Sequence, residues 1–121
     1  TLETLAMHAK VPVINGLSDR LHPTQVVADY ITLRERFGDL EGLKLTYVGD
    51  GNNVCNSHVN AAALAGVQLT VACPEGYEPD AQILAAARAA SSTHPSVLFI
   101  EEKPFCSIYF CMREPLLSAR E

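Results

Sequence analysis

The chain has 121 residues and a formal net charge of −5; 48% are hydrophobic and 19% charged. That is enough for one domain with a real core, and the composition is that of a folded globular chain, not a disordered one. Nine scattered Lys and Arg against fourteen Asp and Glu exclude a broad nucleic-acid-binding face, which needs clustered cations.

No apolar run approaches the ~20 residues that span a bilayer, and the N-terminus carries no basic, apolar leader. A membrane partner is therefore not expected. Thr1 does not read as a natural start, so the chain reads as a piece of something longer. Cys55, Cys73, Cys106 and Cys111 show no CxxC and no His/Cys ligand spacing. Each reads as a small buried apolar residue, which favours a reducing, cytoplasmic setting and no metal.

Residues 1–10 place Leu2, Leu5, Ala6 and Ala9 at helical spacing and read as the tail of a helix, with His8 on its surface. Val11–Gln25, VPVINGLSDRLHPTQ, reads as a short apolar strand (Val11, Val13, Ile14), then a polar loop with Asn15, Gly16, Ser18 and Asp19. A His-Pro pair follows at the mouth of a helix. His22 precedes a proline and is held out of helical geometry, while Pro23 suits the first helical position. His22 and Gln25 then lie near free backbone N–H groups and the positive end of the helix dipole. Such a junction is a natural anion or carbonyl site. Spacing alone favours the plainer reading, in which His22 is an N-cap and Gln25 a solvated first-turn residue.

The helix from Pro23 to about Phe37 puts Val26, Val27, Tyr30, Ile31 and Leu33 mostly on one face, and Gly38 ends it. Leu43–Asp50 alternates and is β-rich, which predicts a strand ending at Gly49. The loop GDGNN leads into a helix from about Val54 to Ala65, with Gly66 as its stop. Val67–Cys73 is a second strand, and Asp80 caps a helix that follows the turn-rich Pro74–Asp80. Ser96–Ile100 and Pro104–Cys111 read as two further strands, followed by a loose tail. Strand–helix–strand–helix order predicts an α/β fold: an open, mostly parallel sheet with helices on both faces, Rossmann-like and three-layered.

Ligands of such sheets collect beyond the carboxyl ends of the strands, where two loops qualify, Asn15–Gln25 and Gly49–Asn53. Gly49 and Gly51 have the GxG spacing of a dinucleotide fingerprint, but Val54 stands where the third glycine belongs, so the signal is weak. Asp50, Asn52 and Asn53 are short polar groups at a helix entrance, and one asparagine is expected to be its cap. His58 reads as a packing or surface residue, and His94 carries little weight. No nucleophile–base order, P-loop or defensible carboxylate pair is present.

Four stretches, VPVINGLSD, LHPTQ-x3-ADYxTLRE, GLKLTYVGDGNNVCNS and VACPEGYEPD, closely resemble ornithine carbamoyltransferases of the aspartate/ornithine carbamoyltransferase family. The resemblance runs from Thr1 to about Ala90, and GDGNNVCNS looks like the ornithine branch. It implies a partial two-domain transcarbamylase: residues 1–38 as the end of the carbamoyl phosphate domain plus the interdomain helix, and 39–121 as part of the ornithine domain with a divergent tail from about 91. It implies carbamoyl transfer from carbamoyl phosphate to ornithine, giving citrulline and phosphate in arginine biosynthesis. His22 would hydrogen-bond the carbonyl oxygen and Gln25 the carbamoyl amino group. Asn53, with Asn52 as the alternative, would hold the ornithine backbone groups. No metal or cofactor is implied, and the expected assembly is a homo-oligomer, a trimer in the family. The family's Ser-Thr-Arg-Thr and His-Cys-Leu-Pro motifs are not in this chain, so weak carbamoyl phosphate binding is expected of it alone. The alternative reading is a non-catalytic α/β module that only self-associates.

Overall fold

Helical periodicity and β-rich runs alternate along the chain. The computed structural model turns them into α1 (Leu2–His8), α2 (Pro23–Phe37), β1 (Lys44–Val48), α3 (Asn53–Ala65), β2 (Gln68–Cys73), α4 (Ala81–Ala90), β3 (Val97–Glu101) and β4 (Ile108–Met112). It describes residues 1–90 in full and, beyond them, the backbone of 97–101 and 108–112. His94, the side chains of Cys106 and Cys111, and the C-terminal tail lie outside the described residues.

The strands form one sheet in the order β3-β2-β1-β4. β1 pairs with β2 and β2 with β3 in parallel, with Tyr47 opposite Val71 and Val71 opposite Phe99. β4 runs antiparallel to β1. Only residues 102–107 separate β3 from β4, and a parallel return needs a crossover of a dozen or more residues. The sheet is mostly parallel, as the element order predicts. Two successive right-handed crossovers moving in one direction along a sheet place both helices on the same side, and α3 packs against α4. Among the described residues, this is the helical layer that covers the sheet.

Alternation along β1 buries Leu45 and Tyr47 and leaves Thr46 and Val48 half-buried. Leu69 and Val71 of β2 join them, with Cys55, Val59 and Ala62 of α3 and Ile83 and Ala87 of α4. Their spacing of three or four residues makes one stripe per helix. Burial of each larger side chain contributes about 1.5–3 kcal/mol. Cys55 and Cys73 are buried and not joined in a disulfide, and burial pushes the Cys55 thiol up to about 12.

Two expectations need correction. Val11–Ile14 is not a strand: Val11 and Ile14 are 70% and 79% exposed, and no described strand pairs with the segment. A lone extended segment has no ladder to satisfy its backbone groups, so apolar alternation alone does not make it β. The apolar face of α2 is also narrower than predicted. Val26 and Tyr30 are buried, whereas Val27 and Ile31, each about 100° further round the helix, are more than half exposed. Among the described elements, α2 packs mainly against α3.

The helix ends follow the residue types. Gly66 takes the left-handed conformation at φ 69° and its N–H bonds the Ala62 carbonyl, closing α3. Asp80 caps α4, its Oδ1 accepting from Gln82 N at 2.8 Å and Ile83 N at 3.1 Å, while Oδ2 meets Arg20 Nε at 3.3 Å. The Ile83 N–H above all, then Gln82 and the Arg20 guanidinium, hold the Asp80 carboxyl below its usual value. A carboxyl with a lowered folded-state pKa contributes stability above its unfolded value and loses it as pH falls through the folded one. Asp80→Asn, a cap without the charge, is therefore expected to flatten the acid limb of a stability–pH curve measured by urea unfolding. An unchanged acid limb would remove the charge from this account.

Candidate active site at the carboxyl ends of the strands

The chain leaves β1 through Gly49–Asn52 and leaves β2 through Pro74–Asp80, and these two loops are tied together. Gly49 N–H bonds the Ala72 carbonyl at 3.0 Å, and Gly51 N–H bonds the Tyr77 carbonyl at 2.6 Å. Backbone of Glu78 and Pro79 sits so close to Gly51 that a Cβ there would overlap Pro79 N and the Glu78 carbonyl carbon. The second glycine of the GxG spacing thus serves close approach of a neighbouring loop.

Asn52 is the cap of α3. Its Oδ1 accepts from Val54 N at 2.9 Å and Cys55 N at 3.1 Å, and its Nδ2 donates to Asp50 Oδ1 at 2.9 Å. Both ends of its amide are engaged within its own loop. Asn53, the first residue of α3, turns the other way. Its Nδ2 donates to the Ser18 carbonyl at 2.8 Å, across to the segment that leads into α2.

That segment is stitched down by three polar residues on one face of α3. Besides Asn53, Ser57 Oγ accepts from His22 N at 2.8 Å and donates to the Asn53 carbonyl at 2.9 Å. Asn56 Nδ2 donates to the Arg20 carbonyl at 3.2 Å, and its Oδ1 accepts from Asp80 N at 3.0 Å. Asn56 and Ser57 are buried, so each bond is made away from bulk water and leaving one partner unpaired would be costly. Sequence reasoning missed both. The signal was a polar i, i+3, i+4 stripe on a helix otherwise rich in alanine and valine.

His22 therefore enters the site through its own backbone. It occupies the N-cap position of α2 at φ −129°, ψ 66°, with Pro23 next in the first turn, but its side chain makes no capping bond. The ring is half-buried, and Nδ1 has no hydrogen-bond partner among the described residues. Gln25 is exposed, and its Nε2 donates to Asp29 Oδ1 at 3.0 Å. Asp29 Oδ2 lies 3.4 Å from Nε2 of His58. His58 is 1% exposed and packs between Tyr30 and Tyr47, with ring centroids at 5.8 and 6.0 Å. Burial lowers the His58 pKa, and Asp29 partly opposes that. It is a packing residue, as its sequence context suggests.

Of the four predicted site residues, His22 and Asn53 are joined through the Ser57 hydroxyl. Gln25 lies one turn along α2, open to solvent, and Asn52 stands on the rim of the same end as the cap. No group of three His, Cys, Asp or Glu side chains that could hold a metal ion occurs among the described residues. Nor, among them, is any helix long and apolar enough to cross a membrane.

A mostly parallel sheet with polar loops and two helix entrances gathered at its carboxyl end defines a Rossmann-like α/β fold. The family described as aspartate/ornithine carbamoyltransferase, Asp/Orn binding domain, matches residues 41–107, and the carbamoyl-P binding domain of the same family matches residues 1–35. The chain belongs to the aspartate/ornithine carbamoyltransferase family. It is 61% identical over 89 residues to the ornithine carbamoyltransferase of Methanoculleus marisnigri, covering 74% of this chain and 29% of that protein. To that of Thermus thermophilus it is 56% identical over 95 residues, covering 78% and 32%. Among solved structures, the ornithine carbamoyltransferase of Pyrococcus furiosus matches with TM-score 0.77 at 45% identity, over 83% of this chain and 32% of that one. The chain thus spans about a third of the length of these relatives.

Proposed function

We propose that this chain is the segment of an ornithine carbamoyltransferase that joins its two substrate sites. In this reading residues 1–38 end the carbamoyl phosphate side, with α2 as the connecting helix, and residues 39–121 form part of the ornithine side. The observation that supports it is the link from the His22 backbone N–H through the Ser57 hydroxyl to the Asn53 backbone carbonyl, which ties the entrance of α2 to the entrance of α3.

The chemistry asks for that pairing. The side-chain amine of ornithine attacks the carbamoyl carbon, a C–N bond forms, and the bond from that carbon to the bridging oxygen breaks to release phosphate. The proton given up by the attacking amine leaves with the departing phosphate. Negative charge grows on the carbamoyl oxygen, so a fixed donor there, His22, stabilises the transition state more than the ground state. Gln25 would take the carbamoyl amino group and Asn53 the ornithine backbone groups. Asn52 would hold the loop that presents Asn53. No covalent intermediate is required, in keeping with a site whose power lies in positioning. The buried thiols of Cys55 and Cys73 support a cytoplasmic setting. Exposed Val11, Ile14 and Leu17 support assembly with further copies, and the family resemblance implies a trimer.

The test is a hybrid in which the 89-residue stretch aligned with the Methanoculleus marisnigri enzyme replaces its counterpart there. Citrulline release within about tenfold of the parent enzyme, or about 1.4 kcal/mol in the barrier, is expected. A folded hybrid that makes no citrulline would overturn the assignment.

A further inference from the structure

Gln25 and His58 belong to different helices, yet one carboxylate touches both. Asp29 receives Gln25 Nε2 on Oδ1 at 3.0 Å and meets His58 Nε2 with Oδ2 at 3.4 Å. Oδ2 is buried, and the imidazole behind it is wedged between Tyr30 and Tyr47. An ordinary i, i+4 pair on a helix surface has no such anchor. The inner oxygen of the Asp29 carboxylate is buried against that imidazole, and its outer oxygen receives the exposed glutamine.

An ionised carboxylate accepts hydrogen bonds and donates none. The Gln25 amide must therefore turn its NH₂ toward Asp29, which leaves Oε1 as the group presented outward. We infer that Asp29, braced by His58 from α3, is a positioning residue that fixes Gln25 as a hydrogen-bond acceptor for the amino group of a carbamoyl substrate. The inference rests on the carbamoyl-transfer reading above and adds two residues to it. Without the brace, a glutamine amide at this exposed point presents its donor and acceptor ends with nearly equal ease. Half of those poses would then meet the substrate NH₂ donor to donor.

Two measurements test this. In the chain itself, side-chain ¹⁵N relaxation of the Gln25 amide is expected to give an order parameter near ~0.8, falling below ~0.6 in Asp29→Asn. A Gln25 amide already as mobile as a free glutamine in the unsubstituted chain overturns the inference, whatever the stability of the variant. In the hybrid enzyme, Asp29→Asn is expected to raise KM for carbamoyl phosphate about tenfold while KM for ornithine stays within about twofold. A residue that merely supported the fold would move both. Equal changes, or none, overturn the positioning role. Gln25→Ala separates the two levels: if it leaves KM for carbamoyl phosphate unchanged, the carbamoyl contact itself is wrong and the inference falls with it. If it raises that KM while Asp29→Asn does not, only the positioning role fails.

Discussion

Gly51→Ala is expected to lower the free energy of unfolding by about 3 kcal/mol or more, the upper end for forcing extra volume into a packed site. The added methyl group would overlap the backbone nitrogen of Pro79 and the carbonyl carbon of Glu78. Backbone atoms cannot rotate aside as a long side chain can. Relief requires the 74–80 loop to lift, and that loop is held by Gly51 N–H on the Tyr77 carbonyl and by Asn56 on Asp80 N. Lifting it would also loosen Asn56 from the Arg20 carbonyl, so strain at Gly51 reaches the entrance of α2. Urea unfolding monitored by circular dichroism should show a lower midpoint with an unchanged slope. Gly16→Ala is the matched control, because a Cβ there meets nothing within 4 Å; it is expected to fall within ~0.5 kcal/mol of the parent. Equal behaviour of the two variants would show that the loop approach at Gly51 is not tight.

His22→Ala is expected to cost the hybrid enzyme a factor of about 10²–10³ in kcat, or roughly 3–4 kcal/mol of transition-state stabilisation. KM for ornithine should change little, because the backbone of His22, and not its ring, makes the bond to Ser57. Alanine keeps that backbone N–H and therefore keeps Asn53 and the 18–22 segment in place. The ring makes no capping bond, so the helix loses no cap when it is removed. The substitution thus subtracts a donor without dismantling the scaffold, and thermal unfolding of the variant should match the parent within a few degrees. A fall in ornithine affinity equal to the fall in turnover would move His22 out of the carbonyl-stabilising role.

Much of this architecture was legible without coordinates. The helix from Pro23 to Phe37, its stop at Gly38, the stop of α3 at Gly66 and the Asp80 cap all follow from local chemistry. A missing N–H, a tolerated positive φ and a short acceptor side chain act within one turn of chain. That His22 and Gln25 both fall at the entrance of α2 was legible for the same reason. So was the presence of a capping asparagine at 52 or 53, although which one caps was not, since the two are the same residue type and either suits the position. Val11–Ile14 misled because apolar alternation reports a face, and whether that face finds a strand to pair with is not a local property.

Residue order along the chain, by itself, settled the elements, their caps and the family motifs, because those depend on neighbours a few bonds away. Only the tertiary structure decided that Ser57 joins His22 to Asn53, that Gly51 yields its space to Pro79, and that Asp29 stands between Gln25 and a buried imidazole. These are contacts between segments up to 35 residues apart, set by how parallel strands stack their carboxyl ends at one edge. The physical reason is that hydrogen bonds and van der Waals overlap act over a few ångströms in space, and sequence spacing measures that distance only within a single helix or strand.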